Sequence, residues 1–345
     1  MRKSLHPNVR RQSKQAERLK KIVEYFPRLT VTVLGDLVAD EFIYGEISRV
    51  SREAPVLILK HRDRIILPGG AGNAIYNLAD LGVTVLPVGV VGDDEPGRLL
   101  LERFRKKKIA LSGVVKLKGH TTATKTRILA GHTHTARQQV VRVDREPPSG
   151  LAPDIARTLA ASAREYARAS DALLVSDYGY GAVTPEILTA VRAKRTLDGI
   201  PVTLDSRYRL LQYSGVNAAT PNEPEVEAAL GIRIAGDSGR LLDAGRTILQ
   251  RMKLDSLLIT RGRHGMVAFT RGHKPVEVPI SGSDQVADVT GAGDTVIATF
   301  TAAVAAGADT ESAAHLANYA AGIVVMKRGT ATVTREELLR VIEQE

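Results

Sequence analysis

From residue 30 onward, short runs of β-branched and aliphatic residues alternate with longer stretches whose apolar residues have helical spacing. The runs predicted to form strands are LTVTVLG, VTVLPVGVVG, DALLVSD, PVTLDS, LDSLLITRG and GMVAFTR. The helical stretches between them are NAIYNLADLG, PDIARTLAASAREYARAS, TPEILTAVRAKRTLDG and DAGRTILQRMK, and several of them stop at Gly or Asp. Because strands that alternate with helices are joined by crossovers, this pattern predicts an α/β fold with a mostly parallel central sheet flanked by helices.

Two segments break this alternation. Residues 41–66 and about 112–146 read as strands with polar faces, and they are too long and too β-rich to be simple connections. We expect them to form a small β-sheet lid over the C-terminal ends of the main strands, where ligands bind in open α/β folds. Since no Pro/Gly-rich linker divides the rest, we expect one domain over residues 29–345, preceded by a basic leader over residues 1–28.

The net charge of +10 is concentrated in that leader, because residues 1–21 contain eight Lys and Arg residues and one Glu. The chain has no Trp, and aromatic residues make up only 4% of it, so it offers little for stacking on bases. A nucleic-acid partner is therefore disfavoured. The leader is expected either to pack as a helix through Leu19, Ile22, Val23 and Phe26 or to stay solvated.

The composition excludes several classes of chemistry. With no Cys in its 345 residues, the chain has no disulfide, no thiolate nucleophile and no Cys-ligated zinc. Its eight His residues show no metal-binding spacing. No apolar run is long enough to span a bilayer and no signal peptide is visible, so we expect no membrane partner and a cytoplasmic location.

The motif DVTGAGDTVIATFT, at residues 288–301, is the strongest indication of function. Gly291, Ala292 and Gly293 precede a helix of small residues, so their backbone amides are expected to form an anion hole for a phosphoryl group. Asp294 follows in the first turn, where a carboxylate is better placed to take a proton from an attacking hydroxyl than to bind phosphate. The alternative is an ordinary helical turn in which Asp294 only complements the helix dipole.

A second glycine cluster, PGGAGN, also introduces a predicted helix. Gly69 and Gly70 allow close approach of a ligand to the backbone, and Asn73 supplies a donor and an acceptor suited to sugar hydroxyls. Asp36 and Asp40 follow the first predicted strand and are candidates for the same role. A tight turn and helix capping are the alternatives for these two groups.

Two later segments carry candidate nucleotide-binding residues. Asn222 and Glu225 lie one helical turn apart and are suited to face a nucleotide-bound Mg²⁺, Glu225 through water. Thr260 ends a strand, and Gly262 and Gly265 open the backbone after it, as a phosphate-binding loop requires. The alternatives are a Pro-initiated helix and a plain hairpin turn.

Taken in order, these motifs resemble the ribokinase-like (PfkB) carbohydrate kinase family over about residues 30–342. Within that family the likeness is greatest to the kinases of D-glycero-β-D-manno-heptose 7-phosphate. It is carried by LGDLVADEFIYGEISRVSREAPV, PGGAGNAIYNLADLG, TTATKTRIL, RQQVVRVDRE, LLVSDYGYG, DVTGAGDTVIA and NYAAGIVVMKRGTATVT.

The resemblance implies a ribokinase-like fold and an ATP-dependent sugar kinase. Such an enzyme would transfer the γ-phosphoryl group to a hydroxyl of heptose 7-phosphate and give the 1,7-bisphosphate, with Asp294 as the base. ATP, Mg²⁺ and K⁺ would be the cofactors, and two copies would pair through the lid. A kinase for another sugar or sugar phosphate, or a non-catalytic sugar or nucleotide sensor on the same fold, stays open.

Further site residues are implied by the same resemblance. The substrate pocket would be completed by Arg49, Lys125, Arg142 and Asp177. Asn318 would border the nucleotide, while Asp288 and Thr290 correspond to the place where relatives bind K⁺.

The chain departs from the heptose-kinase pattern at two places. Tyr180 stands where a Lys is usual, and Ser206-Arg207 replaces a usual Pro-Lys, so a different phosphorylated sugar is an alternative acceptor. The sequence also ends soon after the kinase motif, and we therefore expect no fused adenylyltransferase domain of the kind found in some of these kinases.

Overall fold

The computed structural model describes residues 7–131, 138–148, 150–193, 197–281 and 287–344, with side chains from residue 14 onward. Residues 132–137 of the second predicted lid segment lie outside this range, as do residues 1–6 of the leader. The helices of the described part are α1 (Pro7–Tyr25), α2 (Ala71–Asp80), α3 (Glu95–Lys106), α4 (Pro153–Ala167), α5 (Pro185–Arg192), α6 (Glu223–Leu230), α7 (Ser238–Arg251), α8 (Ala292–Ala305), α9 (Thr310–Val325) and α10 (Arg335–Gln344).

The strands form a large sheet and a small one. They are β1 (Thr30–Gly35), β2 (Leu37–Val50), β3 (Leu57–Gly70), β4 (Thr84–Gly92), β5 (Val114–Leu117), β6 (Ala123–Gly131), β7 (Gln138–Arg145), β8 (Ala172–Asp177), β9 (Val202–Ser206), β10 (Ala218–Ala219), β11 (Ser256–Thr260), β12 (Met266–Thr270) and β13 (Val276–Val278). The large sheet has the order β13-β12-β11-β10-β9-β8-β1-β4-β5, and the small one has the order β3-β2-β6-β7. Pairing in the large sheet is parallel from β5 to β11 and antiparallel only at β12 and β13.

Helices cover both faces of the large sheet, because its strands are apolar on both sides. In β8, Leu174 belongs to the apolar cluster that contains residues of α2, α8 and α9. Leu173 and Val175 belong to the cluster on the opposite face, which contains residues of α4 and α7. This two-residue alternation inside one continuous apolar run is typical of a parallel strand buried on both faces. The predicted fold, a mostly parallel sheet flanked by helices with a smaller sheet added, is therefore confirmed.

The small sheet is joined to the large one by a very short connection. β2 follows β1 after Asp36, and β3 ends at Gly70, where α2 begins. The two strands are thus longer than the predicted segment 41–66. β5, at the start of the second predicted lid segment, pairs in parallel with β4 of the large sheet, because it follows α3 as the next crossover strand.

The second half of the predicted leader packs onto the domain as a helix. Leu19, Val23 and Phe26 are fully buried in the same cluster as α9 and α10. Lys20 pairs with Glu343 at 3.0 Å, and Arg18 pairs with Asp309 at 2.8 Å. Acids of the domain therefore form ion pairs with part of the positive charge of the leader. In the part of the chain that is described, no helix combines the length and the apolar character that crossing a bilayer requires.

Candidate active site

The central feature of the site is the start of α8. Gly291 caps this helix in the left-handed conformation, with φ of 81°. A Cβ atom at Gly291 would lie 2.4 Å from Nδ2 of Asn73, so both its conformation and its surroundings require glycine. The first turn of a helix leaves backbone amides without helical partners, which makes this end suited to an anion.

Asp294 lies in that first turn and is only 4% exposed. Nδ2 of Asn73 donates to its Oδ2 at 3.0 Å, and the hydroxyl of Tyr178 donates to its Oδ1 at 2.6 Å. Burial raises the pKa of Asp294 to about 7, against the lowering effect of these two hydrogen bonds. A carboxyl with a pKa near neutrality is matched to proton transfer at physiological pH.

A cavity of about 490 Å³, here called the polar cavity, opens in front of Asp294. Its lining includes four cationic and four acidic side chains together with backbone of the glycine segments. They are Lys125, Arg127, Arg142, Arg207, Asp40, Asp205, Glu225, Asp294, Gly70, Gly291 and Gly293, with Tyr178, Thr220, Asn222, Thr260, Val289 and Thr290 completing the wall.

The cations of the polar cavity differ in how they are neutralised. Arg127 pairs with Asp40 at 2.6 Å, and Arg142 pairs with Asp144 at 2.6 Å. Nζ of Lys125 lies 4.8 Å from the centre of the Tyr178 ring. Burial, and then the nearby positive charge of Arg207, lower the pKa of Lys125. Cations that repel one another inside a shared cavity favour an anionic ligand.

Asp40 lies against the first glycine cluster. A Cβ atom at Gly69 would be 2.4 Å from its Oδ2, so the carboxylate touches the backbone there. Thr330 donates to the same oxygen at 2.9 Å, while Arg127 holds the other. The structure thus brings Asp40, Gly69 and Asn73 together beside Asp294, as their predicted role in sugar binding requires, although that role remains a prediction.

A second cavity, here called the apolar cavity, has a volume of about 570 Å³ and meets the polar cavity at Thr260, Val289 and Gly293. Its apolar lining includes Met266, Ile280, Val296, Ala321 and Val325. The predicted nucleotide residues Thr260, Gly262, Gly265 and Asn318 all border it. Its size and apolar walls suit a flat ring such as a nucleobase.

Asn222 and Glu225 form a capping box at the start of α6. The Asn222 side chain accepts from the Glu225 amide at 2.9 Å, and the Glu225 side chain accepts from the Asn222 amide at 2.9 Å. Both residues also line the polar cavity, opposite Asp205. Burial, followed by repulsion from Glu225, raises the pKa of Asp205 well above its usual range, and burial raises the pKa of Glu225. The alternative of a Pro-initiated helix is therefore present in the structure, and it still leaves Asp205 and Glu225 facing the polar cavity.

Two of the predicted substrate residues, Asp36 and Asp177, support the backbone in the structure, while their role in substrate binding stays a prediction. Asp36 accepts from the amides of Tyr178, Tyr180 and Ala182. The buried carboxylate of Asp177 accepts from Ser206, Arg209 and Tyr213. Neither acid is among the residues that line the two cavities, since both hold the backbone of residues 177–182 in place.

The remaining predicted residues differ in their distance from the cavities: Arg49 lies outside both, whereas Thr290, close to Asp288, lines the polar cavity. Arg49 is exposed near the far end of β2 and is not among the residues that line the two cavities. Oδ1 of Asp288 accepts from the Thr290 amide at 2.9 Å, and its Oδ2 accepts from the Gly329 amide at 3.0 Å. These contacts join the predicted K⁺-binding residues to the loop that contains Gly329, while the ion itself stays a prediction.

Sequence reasoning missed several residues of the site. Tyr178, Arg127, Asp205 and Thr220 line the polar cavity, and Thr330 donates to Asp40. Tyr178 and Asp205 stand at the ends of strands β8 and β9, and position at the C-terminal end of a parallel strand was the available signal. Arg207, noted only as a departure from a pattern, also lines this cavity.

Comparison with known proteins places the chain among sugar kinases. The model of the pfkB family carbohydrate kinases matches residues 33–337. Bifunctional protein HldE of Pelobacter propionicus is 40% identical over 311 residues, which are 90% of this chain and 62% of that protein. Bifunctional protein HldE of Gluconobacter oxydans is 39% identical over 317 residues, which are 91% of this chain and 64% of that protein. The chain thus spans a little under two thirds of the length of these relatives.

Solved structures agree with the fold. Arabidopsis thaliana ribokinase, complexed with ribose and ATP, superimposes with a TM-score of 0.70 at 20% identity, over 91% of this chain and 99% of that one. Escherichia coli phosphofructokinase-2, in complex with fructose-6-phosphate, gives a TM-score of 0.70 at 16% identity, over 92% of this chain and 98% of that one. At these identities the likeness shows the fold alone.

Proposed function

Because this chain belongs to the pfkB family of carbohydrate kinases, we propose that it transfers the γ-phosphoryl group of ATP to a hydroxyl of a phosphorylated sugar. The observation that carries the proposal is the position of Asp294. This buried acid lies at the N-terminus of α8 and lines the cavity rich in cations, while the adjacent Gly293 lines both that cavity and the apolar one. The sugar phosphate fits the polar cavity and the adenine ring fits the apolar cavity.

In the proposed reaction, Asp294 takes the proton of the acceptor hydroxyl. The hydroxyl oxygen forms a bond to the γ-phosphorus as the bond from that phosphorus to the leaving ADP oxygen breaks. Charge on the transferring group is met by the amides at the start of α8, because a helix N-terminus stabilises an anion. Lys125 and Arg207 supply further positive charge in the same cavity.

We propose D-glycero-D-manno-heptose 7-phosphate as the acceptor and the 1,7-bisphosphate as the product. The sequence resemblance to heptose 7-phosphate kinases supports this choice. The polar cavity supports it chemically, since Asp40 suits hydroxyl groups and the four cations suit a phosphate. Tyr180 and Arg207 replace the lysines of that pattern, which leaves another phosphorylated sugar as the alternative.

Mg²⁺ fits the acidic side of the polar cavity. Among the described residues, no group of three His, Cys, Asp or Glu could hold a metal by itself. Mg²⁺ commonly keeps several waters and binds one or two carboxylates plus substrate phosphates, and Asp205 and Glu225 supply two acids here. The buried hydroxyl of Thr220 has no protein partner within the described residues, so it can hold a water of the ion. When bound, Mg²⁺ neutralises phosphate charge.

We also propose that K⁺ binds beside Asp288 and Thr290. The support is the contact of Asp288 with the backbone of Gly329, which brings two loop segments together next to α8. Replacing K⁺ by tetramethylammonium in the assay should lower turnover. Equal turnover in the two salts would contradict this part.

The experiment that tests the function is ATP turnover, with Mg²⁺ and K⁺, on a panel of acceptors. The panel contains D-glycero-D-manno-heptose 7-phosphate, fructose 6-phosphate, ribose, fructose and adenosine. Selective turnover of the heptose phosphate is expected. Turnover of another sugar would keep the mechanism and replace the acceptor, and no turnover with ATP still bound would favour a sensor.

We further propose that the protein works in the cytoplasm as a homodimer paired through the small sheet. That sheet, with the connection between β2 and β3, exposes several large apolar side chains: Val50, Val56, Leu57, Val140, Val141 and Val143. Exposed apolar groups on a sheet are commonly covered by a partner. Light scattering should show a dimer that Val143→Lys weakens, whereas Ile232→Lys, which alters an exposed apolar residue next to α6, should leave it intact. A monomeric parent protein at micromolar concentration would contradict the proposal.

A further inference from the structure

We propose that Tyr178 is a positioning residue for phosphoryl transfer: its hydroxyl holds the Asp294 carboxylate, ionised, in one orientation toward the acceptor hydroxyl. The inference rests on the proposed function, in which Asp294 takes the proton. Tyr178 belongs to the segment DYGYG, at residues 177–181, which directly follows the body of strand β8.

The two oxygens of Asp294 have different donors from different parts of the chain. Tyr178 donates to Oδ1 at 2.6 Å, and Asn73 donates to Oδ2 at 3.0 Å. One donor on each oxygen fixes the rotation of the carboxylate about its Cβ–Cγ bond. Because each carboxylate oxygen can accept more than one hydrogen bond, the group can still receive the acceptor hydroxyl.

The backbone of Tyr178 is held by a buried acid. Asp36 is 2% exposed, and it accepts from the amides of Tyr178 at 2.8 Å, Tyr180 at 3.0 Å and Ala182 at 2.9 Å. Burial raises the pKa of Asp36 to about 6, so its burial carries a cost that the three amides partly offset. An acid used in this way fixes the backbone from which the tyrosine side chain extends.

The neighbouring acid holds the start of the same segment. Asp177 is 1% exposed, and its Oδ2 accepts from Ser206 at 2.9 Å and from Tyr213 at 2.8 Å. Its Oδ1 accepts from the amide of Gly179 at 3.0 Å. Two buried carboxylates therefore fix the residues on both sides of Tyr178.

The ring of Tyr178 is restricted as well. A Cβ atom at Gly70, where φ is 55°, would lie 3.3 Å from Cδ2 of the ring, so this glycine makes room for it. Nζ of Lys125 lies 4.8 Å from the ring centre, within the range of a cation–π contact. Contact with Lys125 and the close approach of Gly70 leave the ring little freedom to turn the hydroxyl away.

The hydrogen bond from Tyr178 and the charges around Asp294 together set the pKa of this acid. Asp40 raises the pKa of Asp294, Lys125 lowers it, and Asp205 also faces the pair. Burial, and then Asp294, raise the pKa of Tyr178 well above its ordinary value, so the phenol remains a proton donor. Since its hydrogen bond lowers the pKa of Asp294, removing the hydroxyl should keep the acid protonated to higher pH.

The test is Tyr178→Phe, with kcat and kcat/KM measured on the accepted sugar from about pH 6 to about pH 9. We expect the acidic limb of both profiles to move upward by about one pH unit, the size of shift expected from losing a charge-assisted hydrogen bond. Turnover near neutral pH should fall roughly tenfold to a hundredfold and recover in part at high pH. The ATP dissociation constant should stay unchanged.

Two matched variants separate positioning from general stability. Tyr213→Phe removes a buried hydroxyl that donates to Asp177, which keeps its hydrogen bonds from Ser206, Arg209 and the Gly179 amide. It should therefore lower the melting temperature without shifting the acidic limb. Tyr166→Phe removes a surface hydroxyl that donates to Ser112 at 2.6 Å, and it should match the parent protein throughout.

A profile of Tyr178→Phe that superimposes on that of the parent, while Asp294→Asn is inactive, would overturn this inference and leave the proposed function standing. A Tyr178→Phe variant that behaves like Tyr213→Phe would overturn it as well. Near-normal turnover of Asp294→Asn would instead remove the proposed function, and this inference with it.

Discussion

The two cavities that meet at the start of α8 recognise ligands by different physics. The polar cavity gathers four cations and four acids around Asp294, whereas the apolar cavity is lined mostly by aliphatic side chains and glycine backbone. Among the described residues, the two cavities share Thr260, Val289 and Gly293. One helix terminus therefore separates recognition by charge from recognition by shape.

This difference predicts which ligand's binding a substitution in each cavity should affect. Charged groups in a partly enclosed cavity interact strongly, and their protonation depends on pH. Contacts with aliphatic walls scale with buried area and do not titrate. Changes in the polar cavity should thus affect the acceptor and the chemical step, and changes in the apolar cavity should affect the nucleotide.

The largest effect is expected for Asp294→Asn. Turnover should fall by a factor on the order of 10² to 10⁴, because a general base contributes about that much. ATP binding, measured by calorimetry, should remain close to that of the parent protein, since Asp294 lies on the polar side. A variant that keeps near-normal turnover would show that another group takes the proton.

Arg207→Ala should come next. Its side chain lines the polar cavity and is exposed, so the substitution should remove an ionic contact to the acceptor without a loss of packing. We expect KM for the sugar phosphate to rise about tenfold to a hundredfold, as the loss of a hydrogen bond to a charged group implies. KM for ATP should change little.

Lys274→Ala is the control for Arg207→Ala, because it removes one exposed positive charge between β12 and β13, away from the polar cavity. Equal effects of the two variants on the sugar phosphate would mean that net charge, rather than a local contact, attracts the acceptor.

A third test uses pH. Burial raises the pKa of Asp294 to about 7, and the base must be ionised to accept a proton. Activity should therefore be present above this pKa, and kcat/KM should fall about tenfold for each pH unit below it. The dissociation constant for ADP should be nearly flat over the same range. The residual activity of Asp294→Asn should not show this fall at low pH. If the fall persists in that variant, the titrating group is not Asp294.

The smallest effect is expected in the apolar cavity, for Asn318→Ala. Nδ2 of Asn318 donates to the carbonyl of Pro279 at 2.8 Å, which supports the wall of that cavity. Losing one neutral hydrogen bond should raise KM for ATP roughly threefold to tenfold. KM for the sugar phosphate should not move, and a larger change in it than in that for ATP would break the division between the cavities.

Much of the fold was predictable because it follows local patterns. The strand β8 and the helix α7, for example, were visible as an apolar run and as a helical spacing. The assignment of β5 to the large sheet was not, since its pairing with β4 depends on where α3 returns the chain. The packing of Leu19, Val23 and Phe26 against α9 and α10 was only one of two alternatives for the leader.

The site was predictable to the extent that one motif contains it. Asp294 and its glycine segment stand together in the sequence, and so do Gly70 and Asn73. Asp36 was predicted to bind substrate from its place at a strand end and Asp177 from the family resemblance, and neither signal distinguishes an acid that faces a ligand from one that faces a loop. Only the donors around each carboxylate distinguish the two cases.

The sequence by itself determined an α/β fold and a helix that begins with glycine amides and an acid, because strand and helix patterns and helix termini depend on neighbouring residues. Only the tertiary structure decided which groups touch that acid. Tyr178 is 116 positions from Asp294, and Asn73 is 221 positions from it. Their contacts exist because the ends of β8 and β3 meet the start of α8, and the packing of whole elements fixes such meetings.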